Sequence, residues 1–178
     1  MTDLPESQRL IFRRWSDVDP DLASLLWRDP EVMHFLGGPY SEEQVRKRLQ
    51  VEIENDRLFG FQYWPIFVRD DGTFAGVCGL KPYKPESREH EIGFHLRPQF
   101  WRLGYASEGA RAVIGFASTS VRAHALYAGH HPQNEASRAL LVRLGFECIG
   151  THFFAPTGLD HPWYVLQLDL GVAEGAAL

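Results

Sequence analysis

Residues Glu91 to Glu108 restrict what this chain can fold into more than any other stretch. Glu89 to Leu96 is an apolar, branched and aromatic run that favours a strand, and Pro98 stops it because proline cannot donate to a sheet ladder. Beyond Gly104 the apolar positions Ala106, Ala110, Val113, Ile114 and Ala117 recur at helical spacing, so a helix is expected from Tyr105 to Ala117. A strand that passes through a short loop into a helix delivers the loop's N–H groups to the helix N-terminus. Those groups have no partners within the helix, and the macrodipole adds about half a positive charge, so a phosphate or diphosphate suits the position.

The remaining elements alternate around this unit. Gln8 to Trp15 reads as a first strand. Asp17 or Asp19 is placed to cap a helix with Pro20 in its first turn, and Asp29-Pro30-Glu31 starts a short helix that Gly37-Gly38-Pro39 breaks. Ser41-x-x-Gln44 is a capping-box pattern that opens a longer helix bearing Val45, Leu49 and Ile53. Phe61 to Arg69 and Thr73 to Leu80 flank Asp70-Asp71-Gly72 as a hairpin, with Pro65 expected at an irregular or edge position. Lys81 to Arg88 reads as a polar connection. A strand at His124 to Gly129 and a helix at Asn134 to Arg143, ended by Gly145, follow the central unit. Two last strands are expected at Glu147 to Phe154 and Trp163 to Leu170, and the tail Gly171 to Leu178 reads as frayed.

A length of 178 residues with 44% hydrophobic content provides for one well-buried core, so the expectation is a single domain over residues 1–178 with its core at 8–170. The net charge of −5 and the scattered basic residues argue against an electrostatic nucleic-acid binder, and Arg46-Lys47-Arg48 reads as a solvated helix face. No apolar run reaches the ~18 residues of a membrane span and the start carries no signal pattern, so a cytoplasmic protein is expected. Cys78 and Cys148 read as small buried hydrophobes in a reducing compartment. His152 and His161 lack partners at ligand spacing, so no metal is expected.

Gln99-x-x-Arg102-x-Gly104-x-Ala106 resembles the acyl-CoA loop of the GCN5-related N-acetyltransferases (GNAT), Q/R-x-x-G-x-G/A. The wider string from Glu91-Ile92-Gly93 to Trp101-x-x-Gly104-Tyr105-Ala106-x-Glu108, the opening Arg9 to Arg13 and the stretch Trp27 to Gly37 are similar to the ribosomal-protein N-terminal acetyltransferase (RimJ/RimL-like) branch. Asn134-x-x-Ser137 with Gly145-Phe146 matches the family's second acyl-CoA motif, and the likeness runs from Gln8 to Leu168. The fold implied is α/β (α+β): a mixed, mostly antiparallel sheet of six to seven strands, helices on both faces, splayed between the fourth and fifth strands. The first family glycine is Arg102 here, so this position reads as one that does not require positive φ, and its guanidinium is placed to reach a phosphate.

The resemblance implies acetyl-CoA-dependent transfer of an acetyl group to a primary amine by direct attack in a ternary complex, the acceptor in this branch being a protein N-terminal α-amine. Polyamine or aminoglycoside acetylation and a non-catalytic acyl-CoA-binding sensor are the other readings, and a homodimer is a family expectation. Phe94, Leu96, Arg97, Gln99, Arg102, Leu103, Gly104, Tyr105, Ala106, Ser107, Asn134, Ser137 and Arg138 are the implied coenzyme A contacts. The family's usual acid, a tyrosine seven residues after the motif asparagine, is Leu141 here, which leaves Ser137 as the nearest substitute by position. Glu91 is the candidate base, with Glu89, His90 and His95 near it on the strand. The acceptor decides how much base is needed: at pH 7 an amine of pKa about 10.4 pays roughly 4.6 kcal/mol to be neutral, an α-amine about 1.2 kcal/mol. Trp15, Trp27, Phe35, Tyr83, Trp101 and Trp163 are candidates to line an acceptor pocket.

Overall fold

The structure is a computed structural model that describes residues 3–168. Strand β1 (Leu10–Phe12) is followed by helices α1 (Pro20–Trp27), α2 (Pro30–Met33) and α3 (Glu42–Phe59), then by β2 (Tyr63–Val68), β3 (Phe74–Lys84) and β4 (Glu89–Leu96). Helix α4 (Tyr105–Phe116), β5 (Ala125–Gly129), α5 (Glu135–Arg143), β6 (Glu147–Phe154) and β7 (Leu159–Gln167) complete it. The seven strands form one sheet in the order β1-β2-β3-β4-β5-β7-β6. Every adjacent pair is antiparallel except β4 and β5, which are parallel.

Local chemistry sets the helix boundaries. Ser41 and Gln44 form the reciprocal capping box at the head of α3, and Gly60 closes that helix at φ 76°. Asp29 caps α2 by accepting from Glu31 and Val32 N–H. Asp19 precedes α1 without capping it: its carboxylate turns back to the N–H and hydroxyl of Ser16. The sheet departs from the sequence reading at two places. β3 runs on through Lys84, with a register shift between Pro82 and Lys84, so the first half of the expected connection is strand and only Pro85 to Arg88 is a turn. β7 begins at Leu159 rather than Trp163, with Pro162 opposite Thr151 just beyond the last β5 pair. The expected tail lies outside the described residues.

Two cores sandwich the sheet. Trp15, Trp27, Met33, Val45, Leu49, Tyr63, Phe67 and Val77 pack α1–α3 on one face. Leu10, Trp64, Leu80, Ile92, Leu96, Ala110, Val113, Leu126, Leu141 and Phe146 pack α4 and α5 on the other. Burial of this size is the main stabilising term, at roughly 25 cal/mol per Å² of apolar surface. Of the two cysteines Cys78 is buried, as expected, whereas Cys148 is exposed; both are free. Among the described residues no helix is long and apolar enough to cross a membrane.

Candidate active site

The β4–β5 pairing extends only over Glu89–Glu91 against Ala125–Tyr127. From Ile92 onward β4 keeps its antiparallel partner β3 but has no ladder to β5, so one edge of Ile92 to Leu96 is open between two strands of the same sheet. An open internal edge exposes N–H and C=O groups that an extended ligand can pair with.

At the end of that edge lies the loop into α4. Pro98–Phe100 makes a 3-10 turn, and the hydrogen bonds of the described backbone include none from the N–H groups of Arg102 to Ser107. Gly104 precedes α4 at φ 84°, and Arg102 also takes positive φ, 61°. The sequence reading that an arginine relieves this position of left-handed backbone is therefore corrected: the turn keeps its shape, at a cost of roughly 1–2 kcal/mol for a residue with a Cβ. Consecutive free N–H groups around left-handed residues form a concave anion nest, so the residues present fit a diphosphate.

The amino-terminal segment holds the loop from outside. Glu108 accepts from the Ser7 hydroxyl and Arg9 N–H at 2.6 Å each, and its other oxygen takes the Arg9 guanidinium at 2.6 Å. Burial pushes the Glu108 pKa up, but the Ser7 and Arg9 donors win and hold it below the usual range. Arg9 also donates to the Leu103 carbonyl and stands 4.6 Å over the Tyr105 ring.

The other implied coenzyme contacts take several positions. Phe94 and Leu96 share the α4 face of β4 with Ile92, and the Trp101 indole donates to the Leu96 carbonyl at 2.7 Å. Arg97 is engaged by the Phe74 carbonyl at 3.0 Å. Gln99, Arg102 and Leu103 are exposed, while Ala106 and Ser107 are half-buried in the first turn of α4. Across the open edge, Asn134 caps α5 by accepting from Ser137 N–H, and Arg138 pairs with Glu135 at 3.1 Å. The Tyr164 hydroxyl is met by His130 Nε2 at 3.3 Å. His130, just past β5, and Tyr164 are both buried. Neither has a sequence signal of its own.

Glu91 lies at the point where β4 and β5 part, directly beside Tyr127, on the opposite face from Phe94 and Leu96. Its Oε1 takes the Lys81 ammonium across the β3–β4 pair at 2.9 Å. Gly93 follows on the same face, and a Cβ there would run into the Tyr63 phenol, so the missing side chain makes room for that hydroxyl on the strand. Burial and then the Glu91 charge push the Tyr63 pKa well above its ordinary value, leaving it a neutral phenol. His95 is pushed down to about 3 by burial and the nearby Arg48 and Lys81 charges, so it is neutral at pH 7 and a poor proton acceptor. His90 lies on the other face, its ring 4.7 Å from Phe61, and Glu89 pairs with Lys84 at 3.2 Å.

Behind this row, α3 contributes an ion pair of Arg48 with the fully buried Glu52, which also accepts from Tyr63 N–H at 2.7 Å. The Arg48 guanidinium stands over Trp27 at 5.5 Å and Tyr63 at 5.2 Å, so the expected solvated basic face holds for Lys47 and not for Arg48. Sequence spacing missed Lys81, Tyr63, Arg48 and Glu52; the Val45-Leu49-Glu52 stripe was the available signal for the last. Of the aromatic candidates, Trp15 and Trp27 are core, 5.6 Å apart. Trp101 is 44% exposed beside the loop, and Phe35 stacks on His131 at 4.9 Å. Tyr83 and Trp163 sit with Tyr127 next to Glu91. Among the described residues no group of three or more His, Cys, Asp or Glu side chains is arranged to hold a metal.

An open internal edge leading to an anion nest, with a carboxylate where the strands part, defines an acyl-CoA-dependent acyltransferase. A family model described as "Acetyltransferase (GNAT) domain" matches residues 9–147, and the chain belongs to this family. Its members transfer acetyl from acetyl-CoA, and so does this protein. The chain is similar to the uncharacterized N-acetyltransferase p20 of Bacillus licheniformis, with 28% identity over 143 residues covering 79% of this chain and 80% of that one. It is also similar to the FsC-acetyl coenzyme A-N(2)-transacetylase of Aspergillus fumigatus, with 32% identity over 70% of this chain and 57% of that protein. Among solved structures, RimL, a ribosomal L7/L12 α-N-protein acetyltransferase, superposes with a TM-score of 0.80 at 20% identity, covering 94% of this chain and 96% of that one. An acetyltransferase from Salmonella typhimurium that modifies the N-terminal serine of L7/L12 gives 0.77 at 22% identity over 92% and 97%.

Proposed function

We propose that the protein acetylates the α-amine of a peptide or protein amino terminus. Acetyl-CoA supplies the activated acyl group. The main-chain N–H groups of Arg102 to Ala106 hold its diphosphate, with Gln99, Arg102, Leu103 and Ser107 around the nest. The open edge of β4 at Phe94 to Leu96 and the α5 wall at Asn134, Ser137 and Arg138 bracket the pantetheine arm. Glu91 takes the proton the amine loses, directly or through a water, as the N–C bond forms and the C–S bond breaks. The departing sulfur is protonated from the Ser137 or Tyr164 hydroxyl; a thiol of pKa about 8.5 needs little help.

The observation that carries the choice of acceptor is the Lys81–Glu91 pair. A carboxylate with one oxygen engaged by an ammonium suits an amine that pays about 1.2 kcal/mol for neutrality better than one that pays roughly 4.6 kcal/mol. RimL, which acts on a protein α-amine, supports the same reading by analogy of fold. The proposed setting is the cytoplasm, where free thiols such as Cys78 and Cys148 persist.

The test is thiol release from acetyl-CoA with four acceptors: a peptide with a free α-amine, the same peptide blocked there but carrying an internal lysine, a polyamine and an aminoglycoside. Turnover confined to the free α-amine is expected. Preference for the blocked lysine peptide, polyamine or aminoglycoside would overturn the acceptor, and coenzyme A binding with no turnover on any of the four would favour a sensor.

A further inference from the structure

Helices α1–α3 pack the β1–β4 side of one sheet face, and beyond them, next to Glu91, the same face carries three aromatic rings. Tyr83 and Tyr127 are 4.8 Å apart, and Trp163 lies 5.7 Å from Tyr83 and 6.1 Å from Tyr127, nearly parallel to the latter at 23°. Gly129 opposite Trp163 makes this possible, since a Cβ there would stand 2.8 Å from the indole carbons. Beside the rings is Glu89, a carboxylate only 23% exposed. The His152 ring packs 5.0 Å from Trp163, and among the described residues one cation of the chain occupies the box. The Lys84 ammonium sits 3.2 Å from Glu89 and over the rings of Tyr83 at 5.1 Å and Tyr127 at 5.5 Å. Lys84 itself is 48% exposed, on the last residue of β3, so its long side chain can swing out without moving the sheet.

We infer that Tyr83, Tyr127, Trp163 and Glu89 form a cation subsite that reads a basic side chain within the first three residues of the acceptor peptide, Lys84 being a displaceable occupant. This rests on the α-amine reading of the acceptor. Glu89 and Glu91 are two residues apart on one strand, so the subsite lies about 7 Å from the proposed base, a span that a lysine or arginine at the second or third position covers. Aromatic faces with a largely buried carboxylate select an ammonium or guanidinium over a neutral or acidic side chain. The net charge of −5 works in the same direction.

Two measurements separate this inference from the reading it rests on. In the first, peptides Ser-Lys, Ser-Ala and Ser-Glu with a common remainder are compared as acceptors for wild type, Glu89→Gln and Lys84→Met. The wild type is expected to prefer Ser-Lys over Ser-Ala by about tenfold, expressed in KM. Glu89→Gln should flatten that preference, and Lys84→Met should lower KM for Ser-Lys with kcat unchanged. Equal KM values for the three peptides in the wild type would overturn the subsite while leaving α-amine transfer standing. In the second, the same peptides blocked by N-acetylation are titrated calorimetrically, which reads the subsite without turnover. Tighter binding of the blocked Lys peptide, lost in Glu89→Gln, supports the box even if no peptide is acetylated; equal binding of all three removes it.

Discussion

Replacing Glu91 with glutamine changes a proton acceptor into a group of nearly the same shape that can still accept from Lys81, so the strand pair survives while the proposed base does not. The variant must begin each turnover with an amine that is already neutral. For an α-amine of pKa about 7.8 that fraction is about one in seven at pH 7 and about nine in ten at pH 8.8, so the variant's kcat/KM should rise about sixfold across that range. For a lysine-like amine the fraction climbs from about 1 in 2,500 to about 1 in 40, a rise of about sixtyfold. Loss of a general base costs about 10²- to 10⁴-fold, and the α-amine acceptor should sit at or below the low end of that range. The assay is continuous detection of released thiol for wild type and variant at several pH values, with circular dichroism to confirm the fold. A variant as active as the wild type with both amine classes at pH 7 would remove Glu91 from the reaction and pass the role to bulk water.

Arg102→Gly should relieve the left-handed strain at that position, raising Tm by about 2–4 °C, the shift that about 1 kcal/mol produces in a chain of this size. The same change should raise KM for acetyl-CoA severalfold if the guanidinium reaches a phosphate; an unchanged KM would leave only the loop's main chain in that role. His95 has its folded pKa pushed down to about 3, below the 6.5 of an unfolded histidine. Between those values the unfolded chain binds the extra proton, so this residue's contribution is fully present above pH 6.5 and declines as pH falls towards 3. His95→Phe should therefore reduce the slope of unfolding free energy against pH, measured by urea melts at pH 4 to 6, by about 1.4 kcal/mol per pH unit. An unaltered slope would mean that the folded imidazole is protonated after all.

Features of this molecule written in local residue order were legible in its sequence. The Ser41–Gln44 box, the Asn134 cap, the Asp70–Gly72 turn and the strand-loop-helix unit from Glu89 to Ala117 all depend on neighbours a few positions apart. What was illegible depends on pairing across the sheet. Lys81 stood in a stretch with two prolines that read as a connection, yet the β3–β4 ladder runs unbroken from Gly76 through Pro82 and so sets Lys81 opposite Glu91 before the register shifts ahead of Lys84. Pro162 likewise concealed the start of β7, because its missing donor is tolerated where the β5 ladder has already ended. Tyr63 lay inside an expected strand, but its hydroxyl matters because Gly93 is two strands away. Arg102 shows the limit from the other side: residue type argued against left-handed backbone, and the loop imposes it regardless.

The most direct test of the account is a calorimetric titration of coenzyme A into the wild type and Gly104→Val. Gly104 holds the turn at φ 84°, a conformation a β-branched residue resists, so valine should disrupt the free N–H groups at the head of α4. Saturable binding by the wild type, weakened at least tenfold in a variant that remains folded, is the expected result. Equal affinity in the two proteins, or no heat from the wild type at millimolar coenzyme A, would contradict it.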